Sequence, residues 1–152
     1  RWRLAAPAGA RGPRGSDSRS ERMGKVKRVV VKILEHARRD APHECCGLLV
    51  GTPRLIEEAV PARNLRSSST RYLVDPVDHF AAIRYARRAG LKVVGAYHSH
   101  PVGLPIPSPT DVSEATYPEY LYLIAAPKSD ENVAAYRLGK EGLAPIKLEV
   151  VS

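Results

Sequence analysis

Apolar positions recur in two different rhythms along this chain. Residues 26–39 place Val30, Ile33, Leu34 and Ala37 at helical spacing, and Pro42 closes the segment. Gly47, Leu48, Leu49, Val50 and Gly51 form a short apolar run between glycines, which predicts a buried strand. Further strands are expected over residues 55–60, 72–74, 92–97, 121–126, 133–138 and 146–151. Asp75-Pro76 opens a second helix, Asp75 as cap and Pro76 in its first turn. That helix carries Phe80, Ile83, Ala86 and Arg87 at its turns and stops at Gly90. Strands outnumber helices without alternating strictly with them, so the expected fold class is α+β: a mixed sheet flanked by at least two helices.

Length and composition narrow this picture. The 152 residues suffice for one domain and a tail, and shares of 43% hydrophobic and 26% charged residues belong to a globular protein. No stretch approaches the ~18 consecutive apolar residues of a membrane span. The only two cysteines, Cys45 and Cys46, are adjacent, which argues against a disulfide scaffold and fits a reducing, cytoplasmic setting. The net charge is +8, and residues 1–22 hold half of that excess, with six arginines against Asp17 and Glu21. Rich in Gly, Pro, Ser and Arg, residues 1–22 are expected to be a disordered basic tail ahead of a true start at Met23, with the domain over residues 23–152. The domain itself is only mildly basic and only 6% of the chain is aromatic, so a nucleic-acid module is not expected.

Chemistry concentrates after the strand over residues 92–97. His98 and His100 stand two apart, and strand alternation sends both side chains to one side, where their nitrogens can meet a single ion. Pro101, Pro105, Pro107 and Pro109 then stiffen an extended loop. Ser108 stands where a helix cap would, three residues ahead of Asp111, with Val112 and Ala115 at helical spacing beyond. A capping box explains Ser108 and Asp111 separately, but not why the capped helix follows a double histidine. Two histidines and one carboxylate are the ligand count of a catalytic zinc site, whose fourth position is left to water. A proton acceptor is also needed. Glu44, a charged residue opening the apolar Gly47 strand, is the candidate.

These residues resemble the JAMM (MPN-plus) zinc metallopeptidases, whose signature is an upstream glutamate, then His-x-His, seven residues and Ser-x-x-Asp. Glu44, His98, His100, Ser108 and Asp111 fill it with the spacing intact. The flanking sequence is also similar, and residues 64–76 look like the asparagine loop, strand and helix start of small bacterial members. The resemblance covers residues 23–152. It implies a cytidine-deaminase-like sheet, partly barrel-like, wrapped by helices. It also implies one Zn2+ on His98, His100 and Asp111, Glu44 as general base and then acid, and Ser108 as hydrogen-bond donor to the oxyanion. Ser99 should face away from the ligands and has no catalytic part in this reading. His36, His43 and His79 are expected to be packing or surface groups, Cys46 a buried inert thiol, and Arg84, Arg87 and Arg88 a solvated face.

The long insertions of lysine-linkage-specific eukaryotic members are missing, which points to the stand-alone prokaryotic type. The resemblance then implies hydrolysis of an amide or isopeptide bond at the C-terminus of a ubiquitin-like or sulfur-carrier protein with a Gly-Gly tail. Release of cysteine and removal of a small modifier are the two forms of that reaction, carried out by a monomer or homodimer. Two rivals remain open at this point, a non-catalytic MPN scaffold and a general small-peptide metallopeptidase.

Overall fold

The computed structural model describes residues 2–4 and 18–150. In chain order the elements are β1 (Trp2–Leu4), α1 (Ser18–Asp40), β2 (Cys46–Thr52), β3 (Leu55–Ala62), α2 (Pro76–Arg88) and β4 (Lys92–Ser99). They continue with α3 (Pro109–Glu114), β5 (Leu121–Ala125), β6 (Val133–Gly139), β7 (Gly142–Ile146) and β8 (Leu148–Val150). The expected disordered tail over residues 1–22 falls for the most part outside the described residues. Within them, β1 pairs with β3 and β8, and the first turns of α1 begin at Ser18.

The eight strands form one sheet in the order β7-β6-β5-β4-β2-β3-β1-β8. The pairing of β4 with β5 is parallel and the pairings of β2 with β3 and with β4 are antiparallel, so the sheet is mixed. β2 lies between β3 and β4, and all its residues but the last are buried, which accounts for its unbroken apolar run. Residues alternate between the two faces. Leu49 and Tyr97 meet Val29, Ile33, Leu34 and Ala37 of α1 on one face. Leu48 and Ala96 meet Ala82 of α2 on the other. His98 has the parity of Ala96 and therefore stands on the α2 face, while Ser99 stands on the α1 face with Tyr97. Among the described residues, no helix is long and apolar enough to cross a membrane.

Two sequence expectations are corrected. Residues 72–74 form no strand of the sheet; a single bridge joins Val74 to Asn64. The run 146–151 breaks at Lys147, with β7 paired to β6 and β8 paired to β1. Those two strands are the opposite edges of the sheet, so a one-residue link between them requires the sheet to curl until its edges meet at one corner. The result is partly barrel-like, without a ladder between β7 and β8 to close it. In α2 the buried residues are Ala82 and Ala86, whereas Phe80 is 67% exposed. Small alanines let the helix lie close on Leu48 and Ala96, and this rotates Phe80 outward.

Candidate metal centre

The end of β4 and the start of α3 bring the signature together. His98 is the last β4 residue on the α2 face and is 2% exposed. His100 lies just past the strand, its backbone N–H donating to the Ala125 carbonyl at the end of β5 (2.8 Å). The loop over residues 101–108 then returns to α3, held where Tyr136 donates its hydroxyl to the Pro105 carbonyl. Ser108 caps α3: its Oγ accepts from the Asp111 N–H (3.1 Å), and Asp111 Oδ2 accepts from the Ser108 N–H (2.9 Å). Capping and ligand roles are therefore compatible. The box consumes a lone pair of Ser108 Oγ and leaves its hydroxyl hydrogen available, and it turns Asp111 inward, where it is 3% exposed.

Glu44 precedes β2, and the antiparallel pairing of Cys46 with His98 sets it beside the histidines. Ligand-type atoms of Glu44, His98, His100 and Asp111 all lie within 4.8 Å of one another. Asp111 Oδ2 is 3.2 Å from His98 Nε2 and 3.0 Å from His100 Nε2.

Whether these residues fit a cation is decided by their lone pairs. His100 Nδ1 is 2.9 Å from the Leu104 carbonyl, which can only accept, so in the neutral ring Nδ1 carries the proton and Nε2 presents its lone pair to the cluster, 3.0 Å from Asp111 Oδ2. Among the described residues, His98 Nε2 and Glu44 Oε1 are buried with no hydrogen-bond partner. Asp111 Oδ2 is near His98 Nε2, but the approach is off the hydrogen-bonding direction. Several acceptors thus converge in a buried space, an arrangement that is costly unless a cation sits among them. The donor set of two imidazoles and a carboxylate suits zinc.

The protonation tendencies of the metal-free cluster follow from the same crowding. Burial, followed by the negative charge of Asp111, pushes the Glu44 carboxyl up to about 7, against the opposing pull of His100. Burial depresses His98. Burial is also the largest influence on His100, which it depresses, and on Asp111, which it raises, but the opposing contributions together outweigh it: Asp111 and the Leu104 carbonyl move His100 up, and the two histidines with the Ser108 N–H move Asp111 well below the carboxylate range.

Two contributors escaped the sequence reading of the site. Tyr72 stacks on His98 with ring centroids 4.2 Å apart and planes 15° from parallel. Asn64 organises the loop over residues 64–73: its side chain donates to the Glu44 and Arg71 carbonyls and accepts from the Arg66 and Leu73 N–H groups. Neither has a local spacing signal toward the histidines; the hints for Asn64 are its place at the head of a polar loop and the resemblance of that loop to the asparagine loop of small bacterial members. The discounted histidines stay outside the cluster. His36 bonds Tyr97 (2.8 Å), His79 bonds Tyr120 (2.9 Å), and His43 is exposed.

Residues 26–139 match the family described as prokaryotic homologs of the JAB domain. This chain belongs to that family. The desampylase of Haloferax volcanii is 39% identical over 102 residues, which cover 62% of this chain and 73% of that protein. The CysO-cysteine peptidase of Mycobacterium tuberculosis (strain H37Rv) is 32% identical over 114 residues, covering 72% of this chain and 78% of the relative. A solved structure described as "JAMM: a metalloprotease-like zinc site in the proteasome and signalosome" is similar with TM-score 0.53 and 26% identity, over 81% of this chain and 91% of its own. The chain is thus a JAMM-type metallopeptidase, with a mixed α+β fold and a candidate metal-binding group.

In this JAB domain the thiols beside Glu44 are inert groups. Burial pushes Cys45 up to about 11 and Cys46 up to about 12, so the nucleophilic thiolate is scarce at neutral pH. At pH 8 the folded protein should therefore react with a thiol-titrating disulfide reagent only at the rate of its unfolding, while both groups titrate at once in denaturant. Rapid native labelling of either cysteine would contradict this placement.

Proposed function

We propose that this JAB domain binds one zinc ion through His98, His100 and Asp111. In this reading it hydrolyses the amide or isopeptide bond linking the C-terminal Gly-Gly of a ubiquitin-like or sulfur-carrier protein to an amine. The observation that carries the reading is the convergence of buried acceptors, with His98 Nε2 and Glu44 Oε1 unpartnered, on a cluster that also holds Asp111. The names of the two relatives, a desampylase and a peptidase of a CysO-cysteine adduct, support the substrate class. The two buried free cysteines suit a reducing cytoplasm.

Zinc held by His98, His100 and Asp111 would supply Lewis acidity, lowering the pKa of a water to about 7 and polarising the scissile carbonyl. Glu44 Oε1 takes a proton from the attacking water and passes it to the leaving nitrogen, since the amine departs only when protonated. Ser108 Oγ donates its free hydroxyl hydrogen to the substrate oxygen as negative charge grows there. Leu104 holds His100 in the tautomer that offers Nε2, and Tyr72 fixes the plane of the His98 ring.

The loop beside the cluster suits an extended tail. Leu73 turns its N–H toward Asn64 Oδ1 and its carbonyl toward the Leu65 N–H. Backbone alternation then turns the polar groups of Tyr72 and Val74 to the opposite edge, where a flexible Gly-Gly tail can add as a strand. Such an edge favours a carrier tail over short free peptides, and the complete donor set opposes a scaffold without chemistry.

The test is incubation with a carrier protein joined through its terminal glycine to cysteine and, separately, to a lysine side chain. Intact-mass measurement should show release of free carrier, stopped by chelation and restored by zinc. Absence of release from both adducts, or release unchanged after complete metal removal, would overturn the reading.

A further inference from the structure

Ser99 sits between the two histidine ligands, is fully buried and faces away from them. By register it stands opposite Cys45, and its N–H donates to the Cys45 carbonyl (3.0 Å). In an antiparallel pair of this kind the reciprocal bond runs from the partner's N–H to the backbone carbonyl. Here the Cys45 N–H donates instead to Ser99 Oγ (2.8 Å), so half of the last rung between β2 and β4 is made by a side chain.

That N–H belongs to the peptide plane joining Glu44 to Cys45. The other polar group of the same plane, the Glu44 carbonyl, accepts from Asn64 Nδ2 (3.0 Å). The plane on the other side of Glu44 is held as well, because the Glu44 N–H donates to the Ser68 carbonyl (2.7 Å). A peptide unit is rigid, so pinning the planes on both sides of a Cα fixes its φ and ψ and with them the direction of its Cβ. The Asn64 amide is itself held by three further bonds, to Arg66, Arg71 and Leu73, so it is a firm anchor.

We propose that Ser99 is a positioning residue for the reaction: with Asn64 it clamps the Glu44–Cys45 peptide and so aims the Glu44 carboxylate at the metal cluster. This rests on the reading of Glu44 as the proton carrier. It gives the residue between the two ligands a task distinct from ligation, and it couples the strand that presents the histidines to the segment that presents the base. Proton transfer requires hydrogen-bond reach, so a small swing of Glu44 slows turnover without loosening substrate.

The experiment compares Ser99→Ala, Ser99→Cys and Ser99→Thr in the full chain with zinc bound. Ser99→Ala should lower kcat roughly 10- to 100-fold at unchanged KM, with zinc content per protein unchanged. Ser99→Cys keeps the volume with a weaker acceptor and should fall between, while Ser99→Thr, which retains Oγ, should restore kcat. In a Glu44→Gln background, Ser99→Ala should cost nothing further, because no carboxylate is left to aim. Independently of activity, the Cys45 amide of the metal-free protein should exchange with solvent faster in Ser99→Ala and recover protection in Ser99→Thr. Wild-type kcat in both Ser99→Ala and Ser99→Cys would overturn the clamp, as would an equal loss in the Glu44→Gln background or unchanged Cys45 exchange. If the wild-type protein released no carrier at all, the reading of Glu44 would fall, and Cys45 exchange alone would then decide whether the clamp exists.

Discussion

Replacing Glu44 by glutamine is expected to lower kcat on a carrier adduct by roughly 10²- to 10⁴-fold while zinc stays bound. Glutamine has nearly the same shape as the carboxylate and keeps an oxygen facing the cluster, but it cannot accept the water's proton. The proposed ligands His98, His100 and Asp111 are untouched, so metal content should match wild type by elemental analysis. A second consequence separates this substitution from simple damage. Without metal, burial and the nearby Asp111 charge hold the Glu44 carboxyl at about 7, above its ordinary value of 4.5. A group whose pKa is raised by folding contributes stability below its unfolded pKa and loses it as pH rises through the folded one. Metal-free wild type should therefore lose stability relative to Glu44→Gln between pH 4.5 and about 7. Undiminished turnover in Glu44→Gln would remove Glu44 from the mechanism.

Asp111→Ala is expected to abolish zinc retention and turnover together. One oxygen, Oδ2, faces His98 Nε2, His100 Nε2 and the Ser108 N–H, so its loss removes the charge of a proposed ligand and half of the capping box at once. The metal-free variant should also be less stable by about 1 kcal/mol, the usual net worth of a lost hydrogen bond such as that from the Ser108 N–H. In wild type, zinc at a hundredfold excess over its dissociation constant should stabilise the fold by about 2.7 kcal/mol. That metal-dependent rise in melting temperature should vanish in Asp111→Ala. Asp111→Asn is the informative companion: its side-chain oxygen still accepts from Ser108, so it should recover the cap without recovering the metal. Equimolar zinc in dialysed Asp111→Ala would show that the ion is held elsewhere.

Much of the site was legible because its parts are local in sequence. His98 and His100 share a face through strand alternation, and Ser108 and Asp111 meet through the first turn of a helix. Glu44 lies far away in the chain, and nothing local reveals its distance from the histidines; a charge opening an apolar strand made it a candidate, and resemblance to a signature tied it to them. Residues 72–74 misled for a physical reason. Their apolar pattern is that of a strand, but Leu73 bonds back to residues 64 and 65 of its own loop, and the outer edge of Tyr72 and Val74 is unpaired within the sheet. For α2 the sequence left the inward stripe open, since helical spacing cannot say which stripe a helix turns inward. Small Ala82 and Ala86, rather than bulky Phe80, proved to be the contact with the sheet.

Residue order alone determined the donor types, the two periodicities that present them, and the stop and cap signals around α2 and α3, because each depends on neighbours within a turn or a strand. The tertiary structure decided what required distant segments to meet. The antiparallel register of β2 with β4 placed Glu44 beside His98 and Ser99 opposite Cys45. The loop over residues 64–73 brought Tyr72 onto His98 and Asn64 onto Glu44. Folding also buried the cluster, which leaves His98 Nε2 and Glu44 Oε1 without partners among the described residues and turns four ordinary side chains into a candidate place for a cation.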